Sequence, residues 1–396
     1  MQKNSTKNLF EIFWVATKLG LTSFGGPQAH LGYFREEYVK KRKWLDDKTY
    51  ADLMALAQFL PGPSSSQVGI GVGTARGGVL GGIIAFLGFT WPSALVLTLF
   101  ALLTNELDVS QHGWLMGLKI VALAVVLHAG LGMAEKLAPS NKTRLISILA
   151  LVSLLLVPSR FTQVIILIAA GLIGITFFKT PLEVEKENTN FKISKTFGNI
   201  CLILFFFLLF VVPFLARISD NVYLEIFDPF FRSGALVFGG GHVVLPLLEA
   251  EFVTTGLISN DAFLTGFGLD QAMPGPLFAF GAYVGAVMQG VSGAFVGLVG
   301  IFLPGILLFF GCLPYWNLLR KNAIIKRALI GINAAVVGTL LASFYSPIWT
   351  NSIFKPADFA LFAVLFAMLK FWKLPPWIVV VAGAIGGFLL GIIGPI

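Results

Sequence analysis

The chain has 396 residues, of which 56% are hydrophobic and only 12% are charged. Soluble domains carry about 25% charged residues, so the composition excludes a soluble globular protein and predicts an all-α polytopic membrane protein. The formal net charge of +8 indicates membrane topology rather than a nucleic-acid surface, because basic residues in short loops set the orientation of membrane helices.

Long apolar stretches approach or exceed the ~20 residues that a helix needs to cross the hydrocarbon core. These stretches are residues 78–103, 113–134, 197–216, 328–344 and 376–393. They do not alternate in the manner of barrel strands. Residues 1–8 lack the pattern of a cleaved signal peptide, so the first helix is expected to remain. Cys201 and Cys312 are isolated in apolar helices, and neither a disulfide framework nor a metal site is expected.

Two turns that contain glycine and proline interrupt the beginning of the chain. The motif Phe24-Gly-Gly-Pro27 divides residues 10–33, and the motif Pro61-Gly-Pro63 divides residues 49–76. Glycine permits a tight turn, and proline suits the first position of the helix that follows, where no amide partner is required. We therefore predict two re-entrant helical hairpins, followed by a crossing helix that is kinked at Pro92.

The same motifs recur in the second half of the chain. Phe24 of the first Phe-Gly-Gly motif aligns with Phe238, and Gln58 before the first Pro-Gly-Pro motif aligns with Gln271 before the second, after a gap of one position. We predict an N-terminal repeat at residues 1–178 and a C-terminal repeat at residues 222–396. Residues 179–221 are expected to be a charged cytoplasmic linker and one connecting transmembrane helix.

Loop charge predicts that the two repeats are inverted. Residues 34–48 contain six Lys or Arg, whereas the corresponding residues 248–261 contain none. The next polar loop reverses this difference, because residues 104–112 contain no Lys or Arg and residues 317–327 contain four. Positive loops stay on the cytoplasmic side, so equivalent loops lie on opposite sides and the N-terminus is expected to be cytoplasmic. Inverted repeats of this kind are common in secondary transporters.

The broken helices predict an anion site near the middle of the membrane. Non-helical backbone at membrane depth persists only where it is buried in protein or lines a polar cavity. Each returning arm would point a helix N-terminus, with free N–H groups and a partial positive charge, toward the same region. Ser64 and Ser65 follow the first Pro-Gly-Pro motif and add hydroxyl donors.

These residues resemble the chromate ion transporters, which are inner-membrane oxyanion carriers of prokaryotes, in the family's long two-domain form. The resemblance is carried by Phe24-Gly-Gly-Pro-Gln-Ala-His30, by Phe238-Gly-Gly-Gly-His242 with Leu245-Pro246, and by the paired Pro-Gly-Pro motifs. It covers nearly the whole chain. The resemblance implies a multi-pass protein of the cytoplasmic membrane that exports chromate, a tetrahedral dianion that mimics sulfate, and so confers chromate resistance.

Three basic residues are candidates for binding the dianion. Lys18 and Arg232 occupy equivalent positions before each Phe-Gly-Gly motif, and a base within the membrane is a candidate functional residue. The alternative for both is that the side chain extends to the interface. Arg76 offers planar donors to an oxyanion, and its alternative is an interfacial arginine that follows the positive-inside rule.

Histidine and acidic residues near the turns are candidates for proton coupling. His30 and His242 lie in the first turns of returning arms, where each donates to the anion, carries a proton or is purely structural. Asp270, just before the second Pro-Gly-Pro motif, is the acid predicted to couple a proton, with a hydrogen-bonded structural acid as the alternative. Glu249 and Glu251 are expected to be solvated in an external loop.

The predicted function is secondary active efflux of chromate, with a sulfate or other oxyanion carrier, an oxyanion channel and a membrane scaffold subunit as alternatives. The predicted partners are the oxyanion, the lipid bilayer and a coupling proton or ion, with a homodimer left open. No enzymatic activity, cofactor, metal or nucleic acid is expected. The predicted substrate-binding residues are Lys18, Gly25, Gly26, Gln28, His30, Gln58, Gly62, Ser64, Ser65, Arg76, Arg232, Gly239, Gly240, Gly241, His242, Gln271 and Gly275, with Asp270 for coupling.

Overall fold

The computed structural model describes residues 5–104, 113–157, 160–179, 193–238 and 243–393. Within these ranges the protein is helical and contains no β-strand, which confirms the all-α class. The helices are α1 (Ser5–Thr22), α2 (Gly26–Phe34), α3 (Asp47–Phe59), α4 (Ser64–Thr104), α5 (Gly113–Leu137), α6 (Asn141–Leu156), α7 (Arg160–Phe177), α8 (Lys195–Ile218), α9 (Val222–Leu236), α10 (Val244–Leu248), α11 (Asn260–Asp270), α12 (Phe280–Cys312), α13 (Trp316–Leu319), α14 (Ala323–Ser343), α15 (Pro356–Lys370) and α16 (Pro376–Ile393).

Several helices are long and apolar enough to cross a membrane. Among the described residues these stretches are Ser64–Thr104, Gly113–Leu137, Lys195–Ile218, Leu277–Leu319 and Ala323–Asn351. Four of them contain apolar runs that the sequence predicts, and the fifth predicted run forms the shorter helix α16. The predicted runs omit the stretch Leu277–Leu319. These spans confirm a polytopic membrane protein, and the exposed Phe207, Phe210 and Phe214 of α8 suit contact with lipid.

Each of the two longest helices folds back on itself. The backbone leaves the helical conformation at Gly77 and Gly78 in α4, and at Gln289 and Gly290 in α12. A Cβ atom added to Gly73 would overlap the carbonyl oxygen of Gly81, although these residues would lie ~12 Å apart along a straight helix. α4 and α12 are therefore helical hairpins, each with a short first arm and a long second arm.

The long second arms pack closely against α1 and α9. A Cβ atom on Gly20 of α1 would overlap the carbonyl oxygen of Phe89 in α4, and one on Gly234 of α9 would overlap that of Ile301 in α12. Small residues allow helix backbones to approach this closely. The alignment that pairs the two Phe-Gly-Gly motifs also pairs Gly20 with Gly234, so the two halves use glycine at the same helix crossing.

The helices α3 and α11 begin in the same way. The Asp46 carboxylate accepts a hydrogen bond from the Thr49 N–H at the start of α3. The Ser259 hydroxyl accepts one from the Ala262 N–H at the start of α11. The alignment that pairs the two Pro-Gly-Pro motifs also pairs Asp46 with Ser259 and Thr49 with Ala262. A side-chain cap satisfies an N–H that has no partner within the helix, and it fixes where each helix starts.

Candidate functional site

The Pro-Gly-Pro turn of each half bonds to the other half of the protein. The Gly62 N–H donates to the Val237 carbonyl oxygen at 2.8 Å, and the Gly275 N–H donates to the Ser23 carbonyl oxygen at 3.0 Å. Ser23 and Val237 each directly precede a Phe-Gly-Gly motif. Gly62 and Gly275 have φ angles of 117° and 100°, which glycine adopts without strain. The motif turns are therefore held together as two crossed pairs.

These bonds define a structural role for the two glycines. The N–H groups of Gly62 and Gly275 are occupied by carbonyl acceptors, so these two amides are not free to bind an anion. Gln67 strengthens the first turn, because its Nε2 donates to the carbonyl oxygens of Pro61 at 2.9 Å and Gly305 at 3.1 Å. An anion at this turn would need donors from the groups that surround the two glycines.

The first Phe-Gly-Gly motif forms the predicted break between two helices. Gly25 and Gly26 both have positive φ angles, and α2 begins at Gly26 with Pro27 in its first turn. The second motif cannot be compared with it, because Gly239, Gly240, Gly241 and His242 lie outside the described residues, as does the side chain of Gln28.

A cavity of about 750 Å³ lies beside α3 and reaches the start of α4. Gln58, Gly62 and Ser64 line it, so it brings together three of the predicted binding residues at the first Pro-Gly-Pro turn. Ala55 of α3 and Asn333 of α14 form parts of its walls. The first N–H groups of α4 have no acceptor within their own helix, and the Ser64 hydroxyl and the Gln58 amide add further donors.

Basic side chains also line this cavity. They are Lys136 from the last turn of α5, and Arg320, Lys321 and Lys326 from the segment around the start of α14. Arg320 is paired with Asp52 of α3, with 3.2 Å between Nη1 and Oδ1. The sequence identifies residues 317–327 as a basic loop, but as a topology signal only. The sequence therefore predicts the charge of this loop, but it does not predict that the loop lies beside the Pro-Gly-Pro turn.

The equivalent helix of the second half, α11, has different surroundings. It packs against α5, where a Cβ atom on Gly268 would overlap the carbonyl oxygen of Leu118. Lys119 of α5 donates to Asp261 at the start of α11 at 2.8 Å. Gly268 aligns with Ala55 when the two Pro-Gly-Pro motifs are superposed in sequence. The face of α11 that packs against α5 therefore corresponds to the face of α3 that lines the cavity.

Lys18 and Arg76 belong to an ion-pair cluster near the start of the chain. Arg76 lies 3.2 Å from Glu11, and Lys18 lies 3.8 Å from Glu37. Arg42 joins the two acids at 2.9 Å from Glu11 and 2.8 Å from Glu37. Burial alone would raise the pKa of Glu37, but the hydrogen bond from Arg42 and the charges of Lys18 and Arg42 hold this pKa below its ordinary value. Both predicted bases therefore have carboxylate partners.

Arg232 is also paired with acids. Its guanidinium lies 2.9 Å from Asp228 and 3.0 Å from Glu251. The Glu251 side chain is only 8% exposed, so the expectation that Glu251 is solvated is wrong, because the partly buried Arg232 is its partner. Glu249 is half-buried rather than fully solvated. The alignment that pairs Arg232 with Lys18 also pairs Glu251 with Glu37, and this signal could have predicted the contact.

The remaining predicted residues are buried. His30 packs against Phe34 and Phe89, with ring centroids 6.5 and 5.5 Å apart. Ser65 lies inside the first turn of α4. Asp270 and Gln271 end α11, and Oδ2 of Asp270 and Nε2 of Gln271 have no hydrogen-bond partner within the described ranges. Buried polar atoms without partners are costly, so these two atoms are candidates for contact with a proton or a ligand.

The fold and the site together define a class of protein. Broken helices with turns inside the protein, and a polar cavity that reaches one of those turns, are features of membrane transporters.

The chain belongs to the chromate transporter family. The family model described as chromate transporter matches residues 10–175 and, separately, residues 224–388. The family consists of membrane transporters rather than enzymes.

Curated relatives span most of the chain. An uncharacterized transporter of Methanocaldococcus jannaschii is 27% identical over 86% of this chain and 85% of its own length. The chromate transport protein of Pseudomonas aeruginosa is 27% identical over 96% of this chain and 92% of its own length. The chromate transport protein of Cupriavidus metallidurans is 25% identical over 96% of this chain and 93% of its own length. No solved structure matches the chain.

Proposed function

We propose that this protein exports chromate across the cytoplasmic membrane of a prokaryote by secondary active transport. The observation that carries the proposal is the cavity beside α3, which connects basic side chains with Gln58 and Ser64 at the start of α4. Relatives that span nearly the whole chain are named chromate transport proteins. Sulfate is the alternative cargo, because it presents the same four oxygens and two negative charges.

The anion binds at the first turn of α4. The N–H groups of this turn lack acceptors within the helix, and the helix N-terminus carries a partial positive charge. The Ser64 hydroxyl and the Gln58 amide donate to the anion oxygens. The bonds of Gly62 and Gln67 hold the turn in place before the anion arrives, which reduces the ordering cost of binding.

The two halves are inverted repeats, and the N-terminus is cytoplasmic. The opposite charge of equivalent loops supports this arrangement, as does the separate match of the family model to each half. Equivalent helix caps at α3 and α11 and the crossed turn bonds give further support. In transporters of this kind the substrate lies at the interface of the repeats, and access alternates between the two sides.

Access alternates through the two equivalent helices α3 and α11. In the described conformation the Ala55 face of α3 lines the cavity, on the side of the basic loops, while the Gly268 face of α11 is closed by α5. The second state exchanges these surroundings: α3 closes against α14, and α11 leaves α5 and breaks the bond between Lys119 and Asp261. A channel would hold both faces open at once.

Asp270 carries the coupling proton. It is 1% exposed and one of its carboxylate oxygens has no partner among the residues that are described. A buried carboxylate oxygen without a hydrogen-bond partner is costly, and opening of α11 would expose it to water on the other side. The aligned residue in the first half is Ala57, so proton binding belongs to one repeat only.

Flux into liposomes that contain only this protein tests the proposal. Chromate uptake is measured with and without an imposed pH gradient, and with sulfate as competitor. Accumulation of chromate above its equilibrium level under the gradient is expected. Saturable flux without accumulation under any ion gradient would identify a channel or uniporter, and the absence of flux for both anions would contradict oxyanion transport.

A further inference from the structure

The basic residues that the sequence favours do not supply free positive charge to the cavity. Lys18 faces Glu37, Arg76 faces Glu11, and Arg232 is held by two carboxylates. A dianion that leaves water needs compensating charge, because an unpaired ion in a low-dielectric site is strongly disfavoured. The charge must therefore come from other residues.

We propose that Lys136, Lys321 and Lys326 form the positive part of the oxyanion site in the cavity beside α3. All three line the same cavity as Gln58 and Ser64. None of the three has a carboxylate partner within the described parts of the chain, whereas Arg320 beside them is paired with Asp52. The proposal rests on the proposed function and names the residues that recognise the charge of its substrate.

The three lysines reach the cavity from two separate parts of the fold. Lys136 lies in the last turn of α5, Lys321 lies between α13 and α14, and Lys326 lies in the first turns of α14. Convergence on one cavity distinguishes them from Lys142, which is exposed at the start of α6 and does not line it. The positive-inside rule explains a basic loop, but it does not require the lysines to surround one cavity.

The positions equivalent to the three lysines in the repeat alignment carry no charge. When the alignment of the halves is continued through α5 and α14, uncharged residues stand opposite the three lysines; they are Val109 for Lys321, Trp114 for Lys326 and Ile348 for Lys136. The three lysines therefore attract an oxyanion toward α3, whereas the residues aligned with them do not attract one toward α11. Because the basic loops mark this side as cytoplasmic, the asymmetry favours capture of the anion from the cytoplasm, as export requires.

Lysine also binds the phosphate groups of lipids, and the test must separate this source of anion from the free substrate. Chromate and sulfate binding to the purified full-length protein is measured by equilibrium dialysis in a detergent without phospholipid, at low and high salt. The variants are Lys136→Gln, Lys321→Gln, Lys326→Gln and the triple variant, with Lys142→Gln as the matched control. The Lys→Arg variants at the same positions retain the charge.

Each single Lys→Gln change is expected to weaken binding about threefold, and the triple change about thirtyfold, at low salt. Lys142→Gln and the Lys→Arg variants are expected to bind as the unchanged protein does. The loss in the triple variant shrinks at high salt, because the Debye length falls from about 10 Å at 0.1 M to about 3 Å at 1 M. A purely structural effect of the lysines would not depend on salt in this way.

The outcomes separate the two proposals. A triple variant that elutes as a folded monodisperse protein and binds both anions as tightly as the unchanged protein overturns the lysine site alone. The same binding is also measured in vesicles of anionic lipid, and a loss that appears only in those vesicles overturns the lysine site, because the lysines would then bind the membrane. An unchanged protein that binds neither chromate nor sulfate contradicts the proposed function itself.

Discussion

The helices α3 and α11 have the same design and different neighbours. Each begins with a side-chain cap, at Asp46 or Ser259, and each ends just before a Pro-Gly-Pro motif. Yet α3 lines a cavity of about 750 Å³, whereas α11 packs against the backbone of α5 at Gly268. The motif therefore builds the turn, and the packing of the neighbouring helix decides whether a cavity reaches it.

The equivalent ion pairs of the two halves differ in burial. The Lys18 side chain is 62% exposed and lies 3.8 Å from Glu37. The Arg232 side chain is 25% exposed and bonds both Asp228 and Glu251. The same two positions thus carry a loose surface pair in one half and a tight, partly buried network in the other. We therefore expect Lys18 and Arg232 to contribute unequally to stability.

The largest effect is expected from alanine at the two turn glycines. A Cβ atom at Gly62 would lie 2.9 Å from the Gly305 Cα, whereas one at Gly275 would lie 3.0 Å from the Ser93 hydroxyl oxygen, which can rotate away. Strain at positive φ and overlap should together destabilise the protein by about 2–5 kcal/mol, with Gly62→Ala the more severe. The yield of monodisperse protein after detergent extraction measures this loss.

Gly32→Ala is the matched control for the turn glycines. Gly32 lies within α2, and a Cβ atom there would meet nothing within 4 Å. Alanine is favoured over glycine in a helix, so the yield should be unchanged or higher. Tolerance of Gly62→Ala at the level of this control would contradict the crossed-turn arrangement.

Asp270→Asn is expected to remove proton coupling while leaving the anion site intact. Because the residue of α3 that aligns with Asp270 is the uncharged Ala57, the change affects only the half of the protein that contains α11. Chromate binding should stay within about twofold of the unchanged protein, since the carboxylate is not part of the site at Ser64. Accumulation driven by a pH gradient should fall to the level of passive exchange in the liposome assay.

Asp220→Asn, in the exposed segment between α8 and α9, removes the same charge and should leave accumulation unchanged. If accumulation persists in Asp270→Asn, the coupling proton binds elsewhere.

A smaller effect is expected at the equivalent ion pairs. Arg232→Ala leaves two acids without their partner and should cost about 3 kcal/mol, as removal of one member of a buried pair does. Lys18→Ala removes an exposed contact and should cost less than about 1 kcal/mol. Thermal unfolding of the detergent-solubilised variants, monitored by tryptophan fluorescence, gives the two shifts. Equal shifts would show that the difference in burial has no energetic consequence.

The sequence predicts local breaks well and long-range partners poorly. The turns at Gly25 and Gly62, and the separation of Arg76 from the crossing arm of α4, follow from glycine and proline chemistry within a few residues. The bond between Gly62 and Val237 joins the two halves of the chain, and no local pattern specifies it. The repeat alignment contains part of this information, because it pairs Ser23 with Val237.

The ion pairs show a second limit of prediction from the sequence. The sequence predicts three binding residues from bases near apolar segments, namely Lys18, Arg76 and Arg232. The sequence contains their partners Glu37, Glu11 and Glu251 as well, but it does not specify the pairing. Which acid meets which base depends on how the helices pack. Lys326 belongs to the basic loop that the sequence predicts, and only the packing of α5 and α14 around α3 brings it to one cavity with Lys136.

Side-specific labelling of Ala55→Cys determines whether the oxyanion enters through the cavity beside α3. The background carries Cys201→Ser and Cys312→Ser, and Leu257→Cys, at an exposed position on the opposite predicted side, reports on access from outside. A membrane-impermeant thiol reagent is applied to inside-out and right-side-out vesicles, with and without chromate.

We expect rapid labelling of Ala55→Cys from the cytoplasmic side only, slowed about tenfold by chromate at ten times its Kd. Labelling from the outer side, or labelling that saturating chromate leaves unchanged, would contradict entry through this cavity.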